Sequence, residues 1–406
     1  MIEAAGLLRY RIHSMSTLTR STLLSGLVLA VTAPLSPAAF YGDPPDATHP
    51  WAIHDENRPQ PARVEPGTFS SQEQTGKPPS DALILFDGTP ATLKNWVSDK
   101  DPNQATKWEV KDGSLQCVPG SGYVRTKQEW GDCQLHVEWS APSKVEGNSQ
   151  GRGNSGIFPM GQVEVQVLDN FNNPTYADGF AGSVYGVNPP MANAVRAPGE
   201  WQVYDIVFRR PVFKDGKMVE DGYLTVFVNG VLTQDHTPLE GGGGHKGRSK
   251  DHPFPEKGPL KLQDHGNPVR YRNIWYRPLP ARASEGGDVS HMSAEATTAK
   301  RQSIAAGLRA DAAKEQGNGK MLKLMDSLVY APDAAALAEA TKLSAAFLVS
   351  VKDLSGDALE QKKGSIRQVH EALKYLSNNK ILPAALPEEA ALGGIIEKAG
   401  WNAPKK

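Results

Sequence analysis

The run Glu164-Val165-Gln166-Val167-Leu168-Asp169 puts a carboxylate and an amide on one face of a strand whose other face is Val163, Val165 and Val167. A core strand has no need of that polarity, so the polar face reads as the lining of a groove. Glu164 and Gln166 point into it, and Asp169 joins them only if a bulge intervenes. A second constellation is Leu260-Lys261-Leu262-Gln263-Asp264-His265-Gly266, where alternation sets Gln263 and His265 opposite Leu260, Leu262 and Asp264. An unperturbed imidazole titrates near neutrality, so His265 is a general base if a carboxylate holds it. The plainer reading is a surface or core histidine with a satisfied hydrogen bond. Arg270 and Arg272 follow on one face, with Tyr271, Asn273 and Trp275 on the other. Arg272 orients a carboxylate or a substrate oxygen, or forms an edge-strand salt bridge.

Two phosphate-binding patterns fail on context. Gly151-Arg152-Gly153-Asn154-Ser155-Gly156 has the spacing of a dinucleotide loop but leads into an alternating strand rather than a helix. Gly242 to Ser249 carries Arg248 where a P-loop has lysine, and it runs on to Pro253 and Pro255, which suits a flexible excursion between strands. With only Cys117 and Cys133, a disulfide framework, a cysteine zinc site and an iron–sulfur cluster are excluded. The two pair as one disulfide or remain buried thiols. Any metal therefore rests on imidazole and carboxylates.

The elements that must position these groups follow from composition and period. The chain has 406 residues, room for two or three domains, and 44 Lys plus Arg against 45 Asp plus Glu leave no field for a polyanion, so nucleic acid is not expected as a partner. Residues 1–39 read as an export signal: Arg9, Arg11 and Arg20 precede the apolar run Leu23 to Val31, which is too short for a stable membrane span. A periplasmic or extracellular location is expected. Residues 40–80 are a proline-rich linker or wrapping arm that docks on the main domain through Trp51-Ala52-Ile53. Residues 81–280 show short alternating runs such as Cys133, Leu135, Val137 and Trp139 against Gln134, His136 and Glu138, the pattern of an all-β sandwich. Tyr223 to Val228, Asn229-Gly230 and Val231-Leu232 predict a tight hairpin. After a linker over 281–300, residues 301–406 are helical, with stripes at Ala336, Ala340, Leu343, Phe347, Val351 and Leu354, and at Ile366, Val369, Leu373 and Leu376. Plain core accounts for those stripes.

Several motifs recur in a fixed order: Leu85-Phe86-Asp87-Gly88 with Trp96, Trp108-Glu109-Val110 with Asp112-Gly113, Glu138-Trp139, Gly153-Asn154-Ser155-Gly156, Glu164-Val165-Gln166, and Leu262 to Gly266 through Arg272-Asn273-Ile274. In this order the β region resembles the 3-keto-disaccharide hydrolase family, the 3-keto-glucoside 1,2-lyase/3-keto-2-hydroxy-glucal hydratase domain. The resemblance implies a mainly β fold, a concanavalin A-like jelly-roll sandwich, followed here by the small C-terminal helical region. It also implies cleavage of 3-keto-glycosides in secreted carbohydrate metabolism, with the carbohydrate as partner. A ketone at carbon 3 acidifies the proton at carbon 2, so one base suffices to expel the group on carbon 1. Glu164 or His265 is then the base, and the other assists the leaving group or the water that re-adds. Asn154, Gln166 and Gln263 bind the enolate oxygen and hydroxyls, joined in the substrate-binding set by Arg272 and Glu138. Glu138 and Asp169 orient His265 or Arg272, or, with Asp264, hold a divalent ion. Asn154-Ser155-Gly156 is equally a tight turn that shapes the groove. The chain departs from the family at Cys133, where an aromatic residue is usual, and in an insertion from Gly241 to Lys257 that alters the groove rim. A non-catalytic carbohydrate-binding sandwich is the alternative. The strand at Glu164 is also similar to that of laminarinase-type glucanases, but Gln166 and Asp169 break the close carboxylate pair of a retaining glycosidase.

Overall fold

The alternating runs of the β region close on one another because each strand has a single apolar face to bury. The computed structural model describes residues 40–248 and 250–401, so the expected signal at 1–39 lies outside the described residues. The fold is the anticipated jelly-roll sandwich of two antiparallel sheets. The larger has eight strands and includes Cys133–Ser140, Gln202–Arg209, Tyr223–Val228, Val231–Pro238 and Arg270–Pro278. The smaller has five, in the order Trp96–Ser98, Val124–Thr126, Lys261–Leu262, Ser155–Phe158 and Val165–Val167. Between them Leu135, Val137, Trp139, Tyr204, Ile206 and Phe208 of the larger sheet join Ile157, Val165, Val167 and Leu262 of the smaller in one core. The expected hairpin pairs Val228 with Val231, and its turn residues Asn229 and Gly230 take φ of 53° and 82°. Cys117 and Cys133 are both buried free thiols.

Five helices follow among the described residues: Ala294–Ala312, Gly317–Tyr330, Ala334–Val351, Gly356–Asn378 and Pro387–Lys398. Asp333 caps the third by accepting the Ala336 N–H at 2.8 Å, and Ile366, Val369, Leu373 and Leu376 of the fourth face inward. The first begins inside the stretch read as linker. Ser293 caps it, and its buried residues Thr297, Ala305, Leu308 and Ala312 are too small and too polar to print a clear stripe in the sequence. Helix Ala334–Val351 is long and apolar enough to cross a membrane by composition, but Ala336, Ala340, Phe347 and Val351 are buried in the helical core.

The arm touches both units. Phe40 packs edge-on against Tyr375, Trp51 against Tyr330, and the Asn57 amide donates to Asp326 at 2.8 Å. Further along, residues 70–72 lie on the outer face of the larger sheet. There Arg272 donates to Glu138 at 2.7 Å and to the carbonyls of Ser71 and Gln72, with its guanidinium 4.2 Å from the Trp201 ring centre. Asn273 sits at a bulge with φ of 48°, which turns its amide onto Glu138 at 2.7 Å, and the Ser70 hydroxyl also donates to that carboxylate. Gln72 bonds both the N–H and the carbonyl of Trp201, at 2.6 and 3.0 Å.

Glu138 and Arg272 therefore do not belong to the groove. Leu135, Val137 and Trp139 feed the core, so alternation throws Glu138 to the far side of the sandwich from Glu164, where the arm covers it. Burial alone would depress the neighbouring His136, but hydrogen bonds to Asp205 (2.6 Å) and Glu138 (3.3 Å) outweigh it and lift the imidazole to about 9. Replacing Glu138 with Ala strips the buried Arg272 of its counter-charge and should lower the unfolding free energy by about 3–5 kcal/mol in urea titrations. The folded value of His136 lies above its ordinary 6.5, so its contribution to stability is full below that pH and fades as pH rises through about 9. Melting temperatures across this interval should fall less steeply in a His136→Asn variant.

Candidate active-site cleft

Strands Ser155–Phe158 and Val165–Val167 pair with Gly156 opposite Gln166 and Ile157 opposite Val165. Sinking the valines into the core turns Glu164 and Gln166 outward to the floor of a cleft of about 590 Å³. Gly156 makes room for them. A Cβ there would stand 2.2 Å from a Glu164 carboxylate oxygen and 2.9 Å from the Phe158 ring.

Glu164 is half-buried, and no lysine or arginine lines this cleft with it. Desolvation pushes its carboxyl up to about 8, against a hydrogen bond from the Gln263 side chain that favours the charged form. The Gln263 amide also donates to the Tyr123 hydroxyl at 2.8 Å, and its backbone N–H bonds the Gly156 carbonyl at 3.0 Å, which ties the 261–262 strand to the floor. The side chain of Gln166 lies 2.9 Å from that of Gln150. Turned to match donors with acceptors, its amide donates to the Ser155 carbonyl at 3.1 Å and to Glu164 at 3.2 Å. Asn154 donates to the Gln150 carbonyl at 2.6 Å, while its own side-chain oxygen and that of Gln263 have no partner among the described residues.

Gln150 is the hub of this floor. It rides on a short turn that Asn173 holds through the Ser149 N–H, and it donates to Thr175 and to the Gly179 carbonyl at 3.1 and 3.0 Å.

The cleft thus brings together Glu164, Gln166, Asn154, Gln263 and His265. His265 is exposed at the mouth, and no carboxylate among the described residues holds it: Asp264 instead accepts the N–H groups of Gly122 and Gly266 at 2.8 and 2.9 Å and braces its loop. Asp169 does not join Glu164 through a bulge. Arg152 claims it at 2.7 Å, beside a separate hollow shared with Gly153 and Asn267. Asp169, Glu138 and Asp264 lie at three different places and do not form one ligand set. Among the described residues no group of three or more His, Cys, Asp and Glu side chains is arranged to hold a metal ion.

Sequence reasoning passed over Tyr123, Gln150, Tyr176, Tyr185 and His245, which line the same cleft. Tyr176 and Tyr185 come from a long irregular stretch with no period to flag them. His245 sits on a short hairpin, Gly243–Gly244 with Gly247–Arg248, formed by the glycine-rich excursion. The only visible signal was the glycine run itself. A Cβ on Gly243 would stand 1.5 Å from the Tyr185 carbonyl oxygen, so the backbone must be bare to lie there.

The profile of a family described as the 3-keto-alpha-glucoside-1,2-lyase-like domain matches residues 81–277. A solved structure from Parabacteroides distasonis, provisionally named a glycosyl hydrolase and determined at 2.13 Å, is 43% identical, with 55% of this chain and 93% of that one covered and a TM-score of 0.51. A second from the same organism, given the same provisional name and determined at 1.70 Å, is 19% identical over 49% of this chain and 94% of that one, with a TM-score of 0.36. Comparison with curated proteins gave no match.

A Glu164 carboxyl followed by carbon-13 NMR should titrate near pH 8. In Gly156→Ala the new methyl drives the carboxylate toward water, and its titration should fall toward the ordinary 4.5. An unchanged titration in that variant would contradict the packing described.

Proposed function

The chain belongs to the 3-keto-alpha-glucoside-1,2-lyase-like family, and from that membership we propose that this carbohydrate-active domain cleaves 3-keto-glycosides by proton abstraction at carbon 2 and elimination across carbons 1 and 2. The observation that carries the reading is a lone carboxylate, Glu164, half-buried without a cationic partner and lifted to about 8. Ordinary glycosidases need two carboxyl groups, about 5–5.5 Å apart when they retain configuration. Here the amide of Gln166 stands beside Glu164, and Asp169 is engaged by Arg152. One base is enough for a substrate whose ketone has already acidified carbon 2.

In this reading Glu164 takes the carbon-2 proton, and the C–H electron pair becomes the double bond between carbons 1 and 2 as the C1–O bond breaks. The charge that gathers on the carbon-3 oxygen draws an amide N–H of Asn154, Gln166 or Gln263, which exchanges its floor hydrogen bond, to Gln150, Ser155 or Tyr123 respectively, for one to that oxygen. His265, at the open mouth, is suited to guide the water that re-adds to the unsaturated sugar and completes net hydrolysis. A lining without lysine, arginine or a second carboxylate fits uncharged sugars. Residues 1–39 read as an export signal, and on that reading we place the reaction in the periplasm or the exterior.

Purified protein incubated with a 3-keto-glucoside and with its non-oxidised parent should consume the first alone. Turnover of the parent alone would remove the keto mechanism, and turnover of neither would leave a binding module. Glu164→Gln should lower kcat by about 10²–10⁴ without unfolding the chain. The base acts deprotonated, so kcat/KM should rise with pH, bend near 8 and then level.

A further inference from the structure

The elimination just described leaves the departing oxygen as an alkoxide unless something protonates it, and the reading above gives His265 to the water that re-adds rather than to that oxygen. Three side chains on the wall beside Glu164 form a connected set. The Tyr185 hydroxyl lies 2.8 Å from that of Tyr176 and 3.4 Å from His245 Nδ1, and all three line the cleft. We propose that Tyr185 is the acid that protonates the leaving oxygen on carbon 1, with Tyr176 orienting it and His245 resupplying its proton. This rests on the lyase reading above.

The hydrogen-bond arithmetic supports that direction of transfer. A phenol oxygen carries two lone pairs and one proton. If Tyr176 and His245 both donate to it, the lone pairs are filled and the Tyr185 proton is left to face the cleft. Tyr176 is suited to remain a donor, since burial, the Tyr185 hydroxyl and the charge of Glu164 all push its ionisation upward. The same two donors would steady the phenolate once its proton has gone.

The backbone fixes this wall relative to the base. The Tyr185 N–H donates to the Glu164 carbonyl at 3.1 Å, so acid and base ride on hydrogen-bonded segments. His245 reaches Tyr185 only because Gly243 has no side chain to strike the Tyr185 carbonyl, and Gly186, at φ of 67°, lets the chain turn beneath Gly244. His245 itself is exposed and can exchange protons with water. The glycine-rich excursion between strands thus brings His245 to the cleft.

The step balances without a further reagent. Glu164 gains the carbon-2 proton, the C–H pair forms the new double bond, and the C1–O pair stays on the oxygen, which takes the Tyr185 proton. His245 passes its Nδ1 proton to the phenolate and takes one from water at Nε2, while Glu164 later releases its proton to water. No oxidation state of the protein changes.

Leaving-group dependence tests the assignment. A 4-nitrophenyl 3-keto-glucoside expels a stable anion and needs no acid, whereas the methyl 3-keto-glucoside does. Tyr185→Phe should cut kcat on the methyl substrate by about 10²-fold or more and on the nitrophenyl substrate by less than about threefold. His245→Ala should show the same asymmetry, less steeply, which guards against misfolding of a single variant. Equal losses on both substrates, or no loss on the methyl glycoside, overturn the proposal while leaving the lyase reading intact. If the unmodified chain turns over neither glycoside, the lyase reading falls and this assignment falls with it.

Discussion

The carboxylate of Glu164 occupies the space that a side chain on residue 156 would fill, and the rest of the cleft is built around that substitution of one group for another. Because Gly156 is bare, Glu164 can fold back along the sheet toward Gln166 and Gln263 instead of extending into water. Its hydration is then partly replaced by amides, which offer dipoles but no counter-charge, and the proton is held more tightly as a result. The walls follow the floor. Gln150 joins the 149–151 turn to the loop at 173–179, and the Tyr185 backbone runs beside Glu164.

The larger sheet carries the opposite case. Glu138 is fully buried, and burial by itself would raise its carboxyl. Hydrogen bonds from His136, Ser70 and Asn273, with the charge of Arg272, reverse the direction and hold it below the ordinary value. Two carboxylates of one sandwich, one buried and one half-buried, are thus displaced in opposite senses by their surroundings. The paired one is locked as an anion within a structural network. The unpaired one can change its protonation state near neutral pH, as an acid–base group must.

Strand alternation made the sandwich legible, because Val163, Val165 and Val167 on one side and Glu164 and Gln166 on the other leave one way for the strand to lie. The same rule assigns Glu138 a face, yet which sheet that face belonged to could not be read from residue order. Glu138 and Arg272 sit in the same motif series as Glu164 and end on the far side of the sandwich. No bulge brings Asp169 to Glu164, for a local reason that the sequence does not show: its partner Arg152 lies 17 residues earlier, in a loop whose path carries no period. Tyr176 and Tyr185 were invisible because irregular backbone positions them, and His245 was signalled only by the glycine run around it. The helical stripes were clear wherever large apolar residues marked them, and failed at Ala294–Ala312, where small ones do.

The arm closes contacts over long stretches of chain: Ser71 meets Arg272 across 201 residues, and Gln72 meets Trp201 across 129. Neither partner exists when the arm is first synthesised, and loop closure on this scale is entropically unfavourable until the sheet can reward it. The outer face of the larger sheet must therefore stay open while the strands assemble, with Glu138 and Arg272 still hydrated and their desolvation deferred. The strap can seat only once residues 272 and 273 have joined the sheet. It acts as a kinetic seal, one that forms only over a β domain already complete as far as residue 273.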